Sequence, residues 1–111
     1  THLQYGEASV LLTGDVDAYG AVLEAEKDIL SPTWLLKVSH HGSAHGTSDT
    51  LLEAVVPAIA VISVGDNPYG HPAGEVLERL KEHGISWMRT DQLGTVEVVT
   101  DGSQYIVNTG F

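Results

Sequence analysis

A short apolar run, Leu36-Lys37-Val38, that stops at Ser39-His40-His41-Gly42-Ser43 constrains this chain more than any other stretch. A second run, Leu11-Leu12, stops in the same way at Thr13-Gly14-Asp15. Each reads as a strand that delivers metal-binding groups just past its end, an imidazole pair in one case and a carboxylate in the other. In open α/β sheets, ligands bind beyond the C-terminal ends of the strands. A carboxylate and an imidazole brought there from separate strands point to a metal site. The adjoining glycines let the backbone turn sharply and approach a ligand closely.

The rest of the chain alternates in a way that suits such a sheet. Residues 8–12 read as a buried strand. Asp17 to Ile29 reads as a helix, with Val22, Leu23, Ile29 and Leu30 apolar, Asp17 as N-cap, and Ser31-Pro32 as the stop. Trp34 to Val38 forms the second strand. Ser48-Asp49 caps a short helix through Leu51, Leu52, Ala54 and Val55, which Pro57 ends. Ala58 to Val64 is a continuous apolar strand of the kind that helices flank on both faces. Pro72 suits the first turn of a helix to His83, with Val76, Leu77 and Leu80 on one face and Gly84 as C-cap. A further strand closes at Arg89-Thr90-Asp91. This order predicts right-handed crossovers and a mostly parallel sheet. The pattern then changes, because Gly94–Thr100 and Gln104–Val107 flank Asp101-Gly102-Ser103, a hairpin turn signal. An α/β body ending in an antiparallel hairpin is the expected fold, with no linker, repeat or low-complexity tract.

Composition narrows the function classes. A chain of 111 residues with 42% hydrophobic content suits one compact domain. No apolar run is long enough to span a bilayer, and the opening residues lack the basic start and apolar stretch of a signal peptide. Cysteine is absent, which excludes disulfides and thiolate metal sites. Fifteen acidic against five basic residues give a net charge of −10. The bases Lys27, Lys37, Arg79, Lys81 and Arg89 are scattered, so composition alone offers no protein-wide grip on nucleic acid.

Thr13-Gly14-Asp15 followed by His40-His41-Gly42-Ser43 resembles the second half of a metallo-β-lactamase-type hydrolase domain. Asn67-Pro68-Tyr69-Gly70-His71-Pro72 and Arg89-Thr90-Asp91 narrow the resemblance to the hydrolase domain at the C-terminal end of ComEC-type competence proteins, membrane channels for DNA uptake. The similarity runs over nearly the whole chain. The family's His-x-His-x-Asp-His or His-x-Asp-x-Asp-His motif, which supplies most of its metal ligands, occurs nowhere in these residues. The resemblance therefore implies that residues 1–111 are a single-domain fragment, the C-terminal half of a metallo-β-lactamase αββα sandwich. Such a half would expose a sheet face that normally packs on its partner.

The resemblance also assigns roles. Asp15 is the expected carboxylate ligand, able to bridge two divalent ions, zinc or manganese, roughly 3.5–4 Å apart. The alternative is an aspartate that caps the following helix. His41, the histidine followed by glycine, is the expected imidazole ligand. His40 is then a neighbour that orients the site or gives a proton to a leaving group. Their alternative is an exposed loop pair. Ser43 either bonds a substrate phosphate or simply suits a loop before a helix. His71 is expected near the active site, against the alternative of a turn residue set by Asn67, Pro68 and Gly70. Arg89 either holds a phosphate or pairs with Asp91 or Glu97. His45, His2 and His83 read as surface, and Asp66 and Asp91 as reserve carboxylates.

The resemblance thus implies part of a metal-dependent, nuclease-like phosphodiester hydrolase, inactive as this fragment. Its implied partners are the missing N-terminal half, DNA, and the membrane channel of a parent protein in the cell membrane. The domain itself would be soluble and extracytoplasmic, and the fragment carries no targeting signal. The competing readings are a small-molecule phosphoesterase or lactonase of the same superfold, and a non-catalytic packing module of a transport protein.

Overall fold

The computed structural model of the chain describes residues 1–15 and 32–110. The helix expected over Asp17 to Ile29 lies outside the described residues. Five strands form one sheet in sequence order: β1 (His2–Tyr5), β2 (Ala8–Leu12), β3 (Leu35–Lys37), β4 (Ile59–Ile62) and β5 (Ser86–Arg89). Strands β2 to β5 run parallel, and β1 adds an antiparallel edge to β2. Two helices, α1 (Asp49–Val55) and α2 (Gly74–Glu82), fill the connections from β3 to β4 and from β4 to β5. A short helix α3 (Thr90–Leu93) leads into the hairpin of β6 (Thr95–Thr100) and β7 (Tyr105–Gly110).

The sheet has two unlike faces. Leu11, Leu36, Ala60 and Trp87 stand in register on one of them. There α1 contributes Leu51, Leu52 and Val55, and α2 contributes Val76 and Leu80, to a single buried cluster. Such period-2 and helical-face patterns meet because both bury their apolar side on the same layer. On the opposite face, Val10, Leu35 and Ile59 are met by Val98 and Tyr105 of the hairpin, and Trp34 lies 5.5 Å from the Tyr105 ring. The hairpin covers this face incompletely. Leu3 and Leu12 on it remain exposed, and Val61 and Met88 are only partly covered.

Local signals account for most boundaries. The Ser48 hydroxyl accepts from the Leu51 N–H, so α1 begins where its cap predicts. The Asp101 carboxylate accepts from the backbone of Ser103 and Gln104, closing the hairpin turn. Helix α2 departs from expectation. It starts at Gly74 rather than at Pro72: Ala73 has an extended backbone (φ −67°, ψ 141°) and gives its N–H to the Gly42 carbonyl at 2.9 Å. That tie holds Pro72 and Ala73 in the preceding loop. Strand β1 and helix α3 carried no readable pattern; β1 forms because the unpaired edge of β2 offers it a ladder from His2 to Tyr5.

Candidate functional site

Parallel strands place four loops at one edge of the sheet, those after β2, β3, β4 and β5. Asp15, the His40-His41 pair, His71 and the Arg89–Asp91 segment all lie in these loops. Asp15 is exposed in the turn that ends β2. The carbonyl of Gly14, one residue earlier, accepts from the His40 N–H at 2.8 Å, so the carboxylate loop and the imidazole loop are joined by their backbones. Beneath them the Thr13 hydroxyl donates to the Lys37 carbonyl.

The His pair sits on a left-handed turn. His40 has φ 48° and ψ 47°, His41 has φ 55° and ψ 25°, and Gly42 follows at φ 84°. For side-chain-bearing residues this region costs roughly 1–2 kcal/mol each. It persists only where surrounding bonds over-determine it, and such strain clusters at functional sites. Here the bonds are visible: His40 N–H to Gly14, Ser43 N–H to the His40 carbonyl at 2.9 Å, and Ala73 N–H to the Gly42 carbonyl. The result is that both imidazoles are exposed while Ser39 and Gly42 are buried.

His41 is further fixed by its ring. Its Nδ1 lies 2.7 Å from the Ser63 carbonyl oxygen. A carbonyl only accepts, so Nδ1 carries a proton, and in the neutral ring the lone pair is then on Nε2. A backbone carbonyl on one ring nitrogen is a common way of presenting the other to a metal. His40 has its ring centroid 6.4 Å from that of His41 and 5.6 Å from that of His71. His71 is half-buried, and its Nδ1 is enclosed without a hydrogen-bond partner among the described residues.

The loop bearing His71 is organised by Asn67. Its side-chain oxygen accepts from the Tyr69 and His71 N–H groups at 3.0 Å, and its amide donates to the carbonyls of Gly65 and His71 at 2.9 Å. Tyr69 stacks on His71 at 5.7 Å. Thr90 plays the matching part after β5, accepting from the Val64 N–H and donating to the Val64 carbonyl, both at 2.8 Å. Between these loops lies an open groove of about 510 Å³, lined by Gly65, Asp66, Asn67, His71, Thr90 and Asp91.

The other expected residues divide cleanly. Ser43 is buried, and its hydroxyl accepts from the His45 N–H at 3.4 Å, so it shapes the turn. Arg89 is closed on Asp91 in a two-pronged contact of 3.0 and 2.7 Å. That bond pulls the Asp91 carboxyl below its ordinary range and raises the Arg89 guanidinium. His45 and Asp66 are exposed. His83 meets Asp49 at 2.9 Å, far from this edge in the fold, at the C-terminal end of α2. Lys37 was not singled out by the sequence. Burial lowers its ammonium pKa, and the charge of Asp15 works in the opposite direction. Among the described residues no three His, Cys, Asp or Glu side chains gather closely enough to hold a metal together.

Fold and site together define an α/β protein with exposed imidazoles and a carboxylate collected at the C-terminal edge of a parallel sheet. Comparison with known proteins finds relatives among competence proteins. The chain is 38% identical over 98 residues to ComE operon protein 3 of Bacillus subtilis, covering 86% of this chain and 12% of that protein. It is 36% identical over 99 residues to competence protein ComA of Neisseria gonorrhoeae, covering 83% of this chain and 14% of the relative. It is 40% identical over 94 residues to recombination protein 2 of Haemophilus influenzae, covering 84% of this chain and 12% of that protein. Over most of its length the chain is therefore similar to one segment of competence proteins. It spans only 12% to 14% of the length of these curated relatives. No family model matches it.

Proposed function

We propose that this chain is the C-terminal half of a metallo-β-lactamase-like, metal-dependent phosphodiester hydrolase domain in a competence protein that acts in DNA uptake. The observation that carries the reading is His41: its Nδ1 is held by the Ser63 carbonyl, which leaves Nε2 free on the same edge as Asp15. An exposed carboxylate and a tautomer-fixed imidazole suit zinc or manganese. They make up part of a ligand set, and the remaining ligands would come from a preceding half of the domain. Bound divalent ions would supply an activated water and neutralise charge developing on the phosphate.

This chain's own residues would do the rest. Asp15 and His41 would hold the ions. His40, exposed beside them, gives a proton to the leaving oxygen. His71 and the groove below it take up substrate, and Ser43 keeps the turn in shape. The uncovered part of the sheet face, with Leu3, Leu12, Val61 and Met88, supports a packing surface for the other half of a sandwich. Among the described residues no helix is long and apolar enough to cross a membrane, and the parent's membrane channel and the extracytoplasmic placement of this domain belong to the proposal.

The net charge of −10 favours a second reading, a small-molecule phosphoesterase or lactonase of the same superfold. Hydrolysis by the intact protein with manganese separates the two. Cleavage of DNA supports the first reading. Turnover of a small phosphodiester or a lactone with DNA untouched supports the second. No metal-dependent hydrolysis of any of these would leave a non-catalytic packing module.

A further inference from the structure

We propose that Lys37 is an anion-binding residue of this site, placed to hold a phosphoryl oxygen beside Asp15 and the His40-His41 turn. The inference rests on the phosphodiester reading and names the group that meets the substrate's charge.

A chain of net charge −10 repels a phosphate at long range, so local cations decide where one can settle. Most described cations are engaged or distant. Arg89 is closed on Asp91. Arg79 donates to the Thr47 carbonyl and lies 3.8 Å from Asp49 and 4.0 Å from Glu75. Lys81 sits in the last turn of α2, which leads to the start of β5 and so to the opposite edge of the sheet.

Lys37 is different on each count. It is the last residue of β3, at the edge where the site loops gather. Its ammonium donates to the Val38 carbonyl at 2.8 Å. An ammonium has three donors, and among the described residues this is the one hydrogen bond its side chain makes. It stands in register between Leu12 and Val61, on the face that the hairpin leaves incompletely covered. In this half-buried, apolar setting a charge-assisted hydrogen bond is screened less than in open water. Its backbone adjoins the strand that runs on to Asp15: Leu12 is its register partner, and the Thr13 hydroxyl donates to its carbonyl.

The test uses the intact protein with manganese and inorganic phosphate as the probe, followed by calorimetry. Lys37→Gln is expected to weaken phosphate binding about tenfold or more, the loss of one charge-assisted hydrogen bond. Lys37→Arg should stay within about threefold of the parent, and Lys81→Gln should bind like it. With bis-p-nitrophenyl phosphate, Lys37→Gln should raise KM by about the same factor as it weakens phosphate, with kcat held within about threefold. If Lys37→Gln fails to fold, Lys37→Met keeps the aliphatic stem and carries the same expectation.

Unchanged phosphate affinity in the folded Lys37 variants overturns the proposal, as does a parent protein that binds no phosphate. Loss of manganese affinity in Lys37→Gln also overturns it, since the lysine would then act only through Asp15. Phosphate binding needs no turnover. A protein that binds phosphate through Lys37 but hydrolyses no phosphodiester would therefore sink the hydrolase reading and leave the anion site standing.

Discussion

Gly42 lies against Pro72 so closely that a Cβ on the glycine would sit 2.5 Å from the proline Cβ and 2.8 Å from its Cα. This contact joins the turn that presents His40 and His41 to the loop that presents His71. It is reinforced by the bond from the Ala73 N–H to the Gly42 carbonyl. The two histidine loops are thus one packed unit, and glycine is required at the joint for both its space and its φ of +84°.

Gly42→Ala should therefore destabilise the intact protein by about 2–4 kcal/mol, combining left-handed strain with overlap on Pro72. Gly70→Ala is the internal comparison. It has φ +75° but nothing within 4 Å of a new Cβ, so about 1 kcal/mol is expected. Urea unfolding midpoints measure both. Equal losses at the two positions would show that the Gly42–Pro72 contact contributes nothing.

Thr90 ties the end of β4 to the start of α3 through two bonds to Val64. Thr90→Val keeps the shape and leaves those backbone groups without their side-chain partner, so stability should fall by about 1–3 kcal/mol. Thr90→Ser keeps the hydroxyl and should lose less than about 1 kcal/mol. Thermal melting ranks the pair, and a valine variant as stable as the parent would contradict the bracing role.

The Asp101 carboxyl is lowered from 3.8 to about 2 by the backbone N–H groups of Ser103 and Gln104 and by the Ser103 hydroxyl. The folded value lies below the unfolded one, so its contribution to the hairpin is present above pH 3.8 and is lost as pH falls towards about 2. Carboxyl-carbon NMR through an acid titration reads the value directly. An Asp101 that titrates near 3.8 in the folded protein would remove this turn as a source of acid sensitivity.

In the intact protein, Asp15→Ala and His41→Ala should abolish hydrolysis without unfolding it, because both residues are exposed on edge loops. His40→Ala should lose about 10²–10⁴-fold, the usual contribution of a general acid. Ser43→Ala should lose least in rate. The ranking of kcat/KM is the measurement. If His40→Ala strips the metal while His41→Ala keeps it, the two histidines exchange roles.

Much of the fold was readable because it depends on local chemistry. The Ser48 cap, the apolar strand around Ala60 and the Asp101-Gly102 turn are each set by residues a few positions apart. The gathering of Asp15, His40, His41 and His71 at one edge was also legible, since parallel strands bring every post-strand loop to the same side. What pairs across the sheet was not. Strand β1 takes its ladder from the open edge of β2, and the extended Ala73 that delays α2 is tied to Gly42, far away in the chain. The left-handed backbone of His40 and His41, the grip of Ser63 on His41, and the bracing by Asn67 and Thr90 depend on partners distant in the chain or on loop closure. Period and caps write elements into a sequence, but the strain a turn can bear is decided by the tertiary bonds that hold it.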